Sequence, residues 1–132
     1  MATGRRDYTS GVLNESSIRS RYSEPYLDWI SMNIIPSESK LFYTYTVPIG
    51  WKLGINRVGV WKGTGRGNHL RIYKGIIYKL FYVFDDECVV NLSGYNIIYF
   101  NAGETLNVYI SNYDNVNTMF YGMIGGILES VD

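Results

Sequence analysis

Cysteine and histidine are nearly missing from this chain. With one Cys, Cys88, no disulfide can form within it, and with one His, His69, no Cys/His zinc cluster can be assembled. A Cys–His nucleophile pair would have to join Cys88 to His69, and nothing local in either stretch supports one. Proline is scarce as well, with 3 residues, and no apolar run approaches the roughly 20 residues of a membrane-spanning helix. No apolar stretch follows the charged residues within 1–6, so no secretion signal is expected. Charge is missing on balance. Twelve basic and 12 acidic residues give a formal net charge of zero, which argues against a field that gathers nucleic acid or anionic membrane.

What the chain has in abundance is aromatic surface, with 13 Tyr, 5 Phe and 3 Trp in 132 residues. Its basic residues are more often Arg than Lys. Interfaces enrich Tyr and Arg and deplete Lys, so composition leans toward a binding or assembly protein and away from an enzyme. The length suits one domain that builds a core without a disulfide or structural metal.

Two regions differ in texture. Residues 1–26 are rich in Ser, Thr and Arg and hold no sustained period, which reads as an extended N-terminal arm. Residues 27–132 alternate apolar and polar positions, with turn residues every 8 to 12 positions. Strands are expected at 27–34, 41–47, 53–61, 70–73, 76–84, 95–100, 105–111 and 118–128, with a brief pairing at 89–92. Leu53, Ile55, Gly59 and Trp61 would share one face. Lys74-Gly75 suits a tight hairpin. The fold class expected is all-β: an antiparallel β-sandwich, jelly-roll-like, with about eight strands behind the arm. Phe42, Phe81, Phe84, Trp61 and Phe120 are the aromatic core candidates.

Few stretches resemble reactive machinery. Lys62 to His69 carries Gly63, Gly65 and Gly67, but no helix follows and Asn68 stands where a dinucleotide fingerprint needs glycine. It reads as a loop between strands, with Arg66, His69 and Tyr113 as contacts if the sandwich tip takes a ligand. Asp85-Asp86-Glu87 lacks the spacing of a calcium loop and reads as a solvated turn. Cys88, beside Val89 and Val90, reads as a small buried hydrophobe. No nucleophile–base–acid set, metal set or cofactor loop is present in the pattern, so neither catalysis nor a cofactor is expected.

The C-terminal third carries a resemblance. Ile97 to Ile110 (IIYFNAGETLNVYI), then Tyr121 to Gly126 (YGMIGG), together with Thr44 to Leu53 (TYTVPIGWKL), resembles small β-sandwich virion proteins of tailed bacteriophages and some archaeal viruses. The resemblance spans roughly residues 40–128 as a pattern of turns and alternation, an outline shared with sugar-binding modules and tumour-necrosis-factor-like trimers. It implies a structural part of a virion, of the capsid decoration or cement type, and no catalytic residue. The partners implied are the major capsid protein or neighbouring copies, in a homo-oligomer for which a trimer is one form. On this reading the arm lies across a neighbour. Arg5, Arg6, Arg19 and Arg21 would pair with acidic groups there, and Tyr8, Tyr22 and Tyr26 would anchor by apolar burial. The alternative is a carbohydrate-binding or receptor-binding module in which Trp51, Trp61 or loop tyrosines stack on a glycan.

Overall fold

The computed structural model of the protein describes residues 22–62 and 67–131. Among these residues nine strands follow in chain order: β1 (Ser23–Ile34), β2 (Ser39–Thr46), β3 (Trp51–Trp61), β4 (Asn68–Lys74), β5 (Ile77–Phe84), β6 (Glu87–Asn91), β7 (Ile98–Phe100), β8 (Thr105–Ser111) and β9 (Thr118–Ser130). β-branched and aromatic residues fill them, as a pleated, half-buried surface requires. The one described helical piece is a 3-10 turn at Gly94–Asn96.

The strands form two antiparallel sheets. Sheet A has the order β1-β9-β3-β6, with β7 also on β3; sheet B has the order β2-β8-β4-β5. β6 lies against Arg57–Trp61 and β7 against Leu53–Ile55, so the two are one strand broken at residues 92–97. Counted that way, eight strands remain. They pair as one long hairpin rolled up: β1 with β9, β2 with β8, β3 with the broken strand, β4 with β5. That is the jelly-roll arrangement, and the expected all-β sandwich is the fold observed.

The core lies between the sheets. Leu53, Ile55, Val58 and Val60 of β3 and Phe120 and Ile124 of β9 meet Leu70 and Ile72 of β4 and Leu106, Val108 and Ile110 of β8, all buried. β3 does not alternate throughout. Its register with β9 shifts between Ile55 and Arg57, a bulge at Asn56. Because side chains repeat every two residues, one extra residue turns every later side chain over. Leu53 and Ile55 point into the core before it, Val58 and Val60 after it, and Gly59 and Trp61 face outward. The expectation that Leu53, Ile55, Gly59 and Trp61 share a face is therefore corrected, and with it Trp61 as a core residue. Phe81 is corrected too. It stands opposite Arg71 on the outer face of sheet B and is 41% exposed, whereas Phe42, Phe84 and Phe120 are buried.

β1 starts at Ser23, so Tyr26 lies within the sandwich. The β4–β5 hairpin turns on Gly75 (φ 62°) and Ile76, the positive φ that a two-residue turn of this kind needs at its first position.

Gly125 and Gly126 separate two constraints. A Cβ on Gly126 would collide with the Gly54 carbonyl oxygen and come within 3.1 Å of the Ile55 Cα, where the bulge brings β3 and β9 together. At Gly125 the nearest atom would be 3.6 Å away, ordinary contact. Gly126→Ala is expected to destabilise by about 3 kcal/mol and Gly125→Ala by less than about 1 kcal/mol in urea unfolding. Equal effects would contradict the close approach.

Candidate functional site

The outer face of sheet A carries an apolar band among its polar residues. Register places Trp29, Met123, Gly59 and Val89 in one row across β1, β9, β3 and β6, and Ser31, Tyr121, Trp61 and Glu87 in the next. Leu27 flanks the first row and Met119 lies beyond the second. Trp29 is 66% exposed, Leu27 58% and Tyr121 55%. The Trp61 indole lies flat over Gly59, where a Cβ would sit 2.6 Å from the ring. Trp29 stacks beside it, ring centres 6.4 Å apart and planes 24° apart. Gly59 thus makes room for a paired-indole plateau. Monomers rarely leave such a band in water, and Trp and Tyr anchor interfaces.

Beside the band runs β1, an edge strand of 12 residues with no strand on its far side among the described residues. Long open edges are ready to pair with another chain. The seam between the β1 and β2 edges is closed by tyrosines. Tyr26 and Tyr43 hydroxyls hydrogen-bond to each other, and the Tyr43 hydroxyl donates to Asp28 Oδ2 at 2.9 Å. Tyr26 packs on Tyr45 at 4.9 Å. Burial, before any charge effect, pushes Tyr26 up to about 12 and Tyr43 higher still, because a phenolate there would lose water and face Asp28.

Of the expected arm residues, Arg5, Arg6, Tyr8, Arg19 and Arg21 lie outside the described residues. Tyr22 stands edge-on to Trp51 at 5.8 Å, and its backbone N–H donates to Ser130 Oγ at 2.7 Å. Tyr26 belongs to the seam.

At one end of the sandwich the expected tip contacts come together in part. His69 lies on β4, not in a loop, and its ring sits 4.5 Å from Tyr113 and 4.9 Å from Phe81. Arg66 lies outside the described residues. Below them, buried polar groups fix the loops. Asn112 Nδ2 donates to the Ile34 carbonyl at 2.7 Å and to the Val116 carbonyl at 3.0 Å, and Asn68 Oδ1 accepts from the Tyr113 N–H at 3.2 Å. Lys62 is buried, its Nζ 3.6 Å from Asp114 Oδ2 and 5.1 Å from the Phe120 ring centre. The sequence pattern gives no hint of this lysine, which follows an outward Trp61 and precedes the glycine-rich stretch 63–67.

Trp51 and Trp61 do not form one stacking platform. They stand at opposite ends of β3; Trp51, before the bulge, packs inward against the core, and Trp61, after it, faces outward. Asp85 accepts the Gly67 N–H at 2.9 Å as part of a turn. Cys88 is half-buried, and burial pushes its thiol up. Among the described residues no three His, Cys, Asp or Glu side chains are grouped to hold a metal ion.

No family profile and no curated protein matches the chain. Among solved structures it is similar to a chain of the acid-stable capsid of Helicobacter pylori bacteriophage KHP30, at 9% identity and a TM-score of 0.48, over 86% of this chain and 100% of that one. It is similar to a chain of Bacillus endospore appendages, a family of disulfide-linked pili, at 14% identity and 0.44, over 96% and 100%. A third is a chain of the virus-like particle of Macrobrachium rosenbergii extra small virus, at 12% identity and 0.37, over 96% and 92%. These are likenesses of outline, and no role is taken from them.

Unfolded tyrosines titrate near 10.0, and Tyr26 in the fold near 12, so between those values the unfolded chain releases protons that the folded one keeps. Stability should therefore hold up to about pH 9 and fall between about pH 10 and 12. The double variant Tyr26→Phe/Tyr43→Phe should flatten that fall in urea midpoints measured against pH; an unchanged slope would contradict the seam's role. At the tip, Asp114→Ala strands a buried ammonium and should cost about 2 kcal/mol or more, while Lys62→Met should cost less than about 1 kcal/mol. The reverse order in thermal melts would rule out the pairing.

Proposed function

We propose that the protein is a structural part of a virion, a capsid decoration or related head component, that associates with copies of itself through the outer face of sheet A. The observation that carries this reading is the apolar band of Leu27, Trp29, Met119 and Tyr121 beside the open β1 edge. Jelly rolls serve capsids, lectins and cupins alike, so the fold admits the role only by analogy. The role is structural and needs no catalytic step.

The occupant of the face is a second copy of this chain. Two β1 edges pair antiparallel about a twofold axis, and Leu27 and Trp29 stand on β1 itself, so edge pairing joins two bands into one surface. A net charge of zero sets no long-range repulsion against it. Residues 1–21 join the fold at Tyr22, where that edge begins. They carry Arg5, Arg6, Tyr8, Arg19 and Arg21 toward a neighbour, either another copy or a major capsid protein, where the guanidinium groups take carboxylates. Repeated over a shell, such contacts gain strength by avidity.

The test is the solution mass of the full chain by light scattering. Trp29→Glu should weaken self-association about 30-fold or more, as loss of an interface anchor does, with the melting temperature nearly unchanged. Deleting residues 1–21 should leave a folded sandwich that assembles poorly. Assembly indifferent to Trp29→Glu would contradict the face as the contact.

A further inference from the structure

The opposite surface, the outer face of sheet B, holds a groove of about 310 Å³ lined by Ser39, Arg71, Tyr73, Gly75, Ile76 and Tyr109. That volume is at the small end for ligand pockets. It suits a mono- or disaccharide better than a large cofactor. Arg71 stands on β4 directly opposite Tyr109 on β8. Its Nη2 donates to Ser39 Oγ at 2.5 Å and Ser111 Oγ at 3.2 Å, which fixes the guanidinium 5.9 Å from the centre of the Tyr109 ring. Ser111 in turn donates to Ser39 at 3.0 Å, tying the support together.

No described carboxylate lies within 4.0 Å of Arg71, and its Nε is buried without a hydrogen-bond partner. The cation is therefore held in place by neutral groups and neutralised by none. That combination recruits an anion. One guanidinium, with no second cation among the described residues lining the groove, matches a single carboxylate better than a phosphate, which draws clusters of basic groups or backbone N–H nests. The walls narrow the class further. Tyr73 and Tyr109 meet edge to face at 5.5 Å with planes 80° apart, forming an aromatic corner. An apolar C–H face of a pyranose packs on such a ring, with hydroxyls left for the tyrosine and serine oxygens.

We propose that this groove binds a carboxylate-bearing saccharide, of the sialic or uronic acid class, with Arg71 on the carboxylate and Tyr73 and Tyr109 against the ring. The site is independent of the assembly face and stays open when sheet A is covered.

The experiment is saturation-transfer NMR and calorimetry on the full chain, with N-acetylneuraminic acid and glucuronic acid as probes. Galactose, glucose, acetate and inorganic phosphate serve as controls. The acidic sugars should bind about tenfold tighter than any control, and Arg71→Met should erase that margin. Ile76 is 94% exposed at the groove rim, so Ile76→Glu leaves the fold alone. It should weaken the acidic sugars several-fold by repulsion and the neutral sugars much less. Acidic sugars that bind no tighter than the neutral ones, phosphate binding tightest, or binding unmoved by both variants would each overturn the proposal. Light scattering on the same variants separates this result from the assembly reading, because neither residue lies on sheet A.

Discussion

One extra residue in β3 governs this molecule. Asn56 bulges out of the pairing with β9, and the side chains after it change face. Without that shift, a strand that buries Leu53 and Ile55 would also bury Trp61 and put Val58 and Val60 in water. With it, four aliphatic side chains enter the core and the Trp61 indole lies outward over Gly59, next to Trp29. The same local twist brings Gly126 against the Gly54 carbonyl, so the glycine and the bulge require each other. Core and surface plateau are two consequences of a single kink.

The two outer faces then differ in kind. Sheet A presents a broad apolar band beside a long open edge, suited to a contact that repeats from copy to copy. Sheet B presents separate aromatic corners around Arg71 and His69, suited to small ligands. Between them the tyrosine seam closes β1 against β2 with hydroxyls, so the edge strand is held to the sandwich while its far side stays open. The proposed roles, self-association through one face and ligand display on the other, rest on this asymmetry.

Much of the fold was legible because period-two alternation and turn residues leave marks in a single sequence. β8 alternates cleanly from Thr105 to Ser111, and Gly75 announced the β4–β5 hairpin. Bulges leave no such mark. A one-residue slip in β3 preserves composition while reversing the faces, so alternation alone puts Trp61 in the core. Phe81 misleads for a related reason: β5 is apolar on both sides, and hydrophobicity alone does not choose the inward one. The candidate surfaces were less legible still. In the sequence Tyr22 and Tyr26 group as arm contacts and His69 and Tyr113 as tip contacts, yet Tyr26 belongs to a seam with its near neighbour Asp28 and with Tyr43, 17 residues away on another strand. Trp29 and Arg71 carry no mark in the sequence, since their meaning lies in what stands opposite them across strands. The resemblance to virion β-sandwich proteins agrees with the class of fold, and it names no residue of the apolar band on sheet A.

The most direct measurement is oxidative footprinting of the full chain, dispersed at low concentration and assembled at high concentration. The account predicts that Trp29, Met119 and Tyr121 become protected on assembly while Tyr73 and Phe81 on sheet B stay as reactive as before. Protection on sheet B with sheet A unchanged would contradict it.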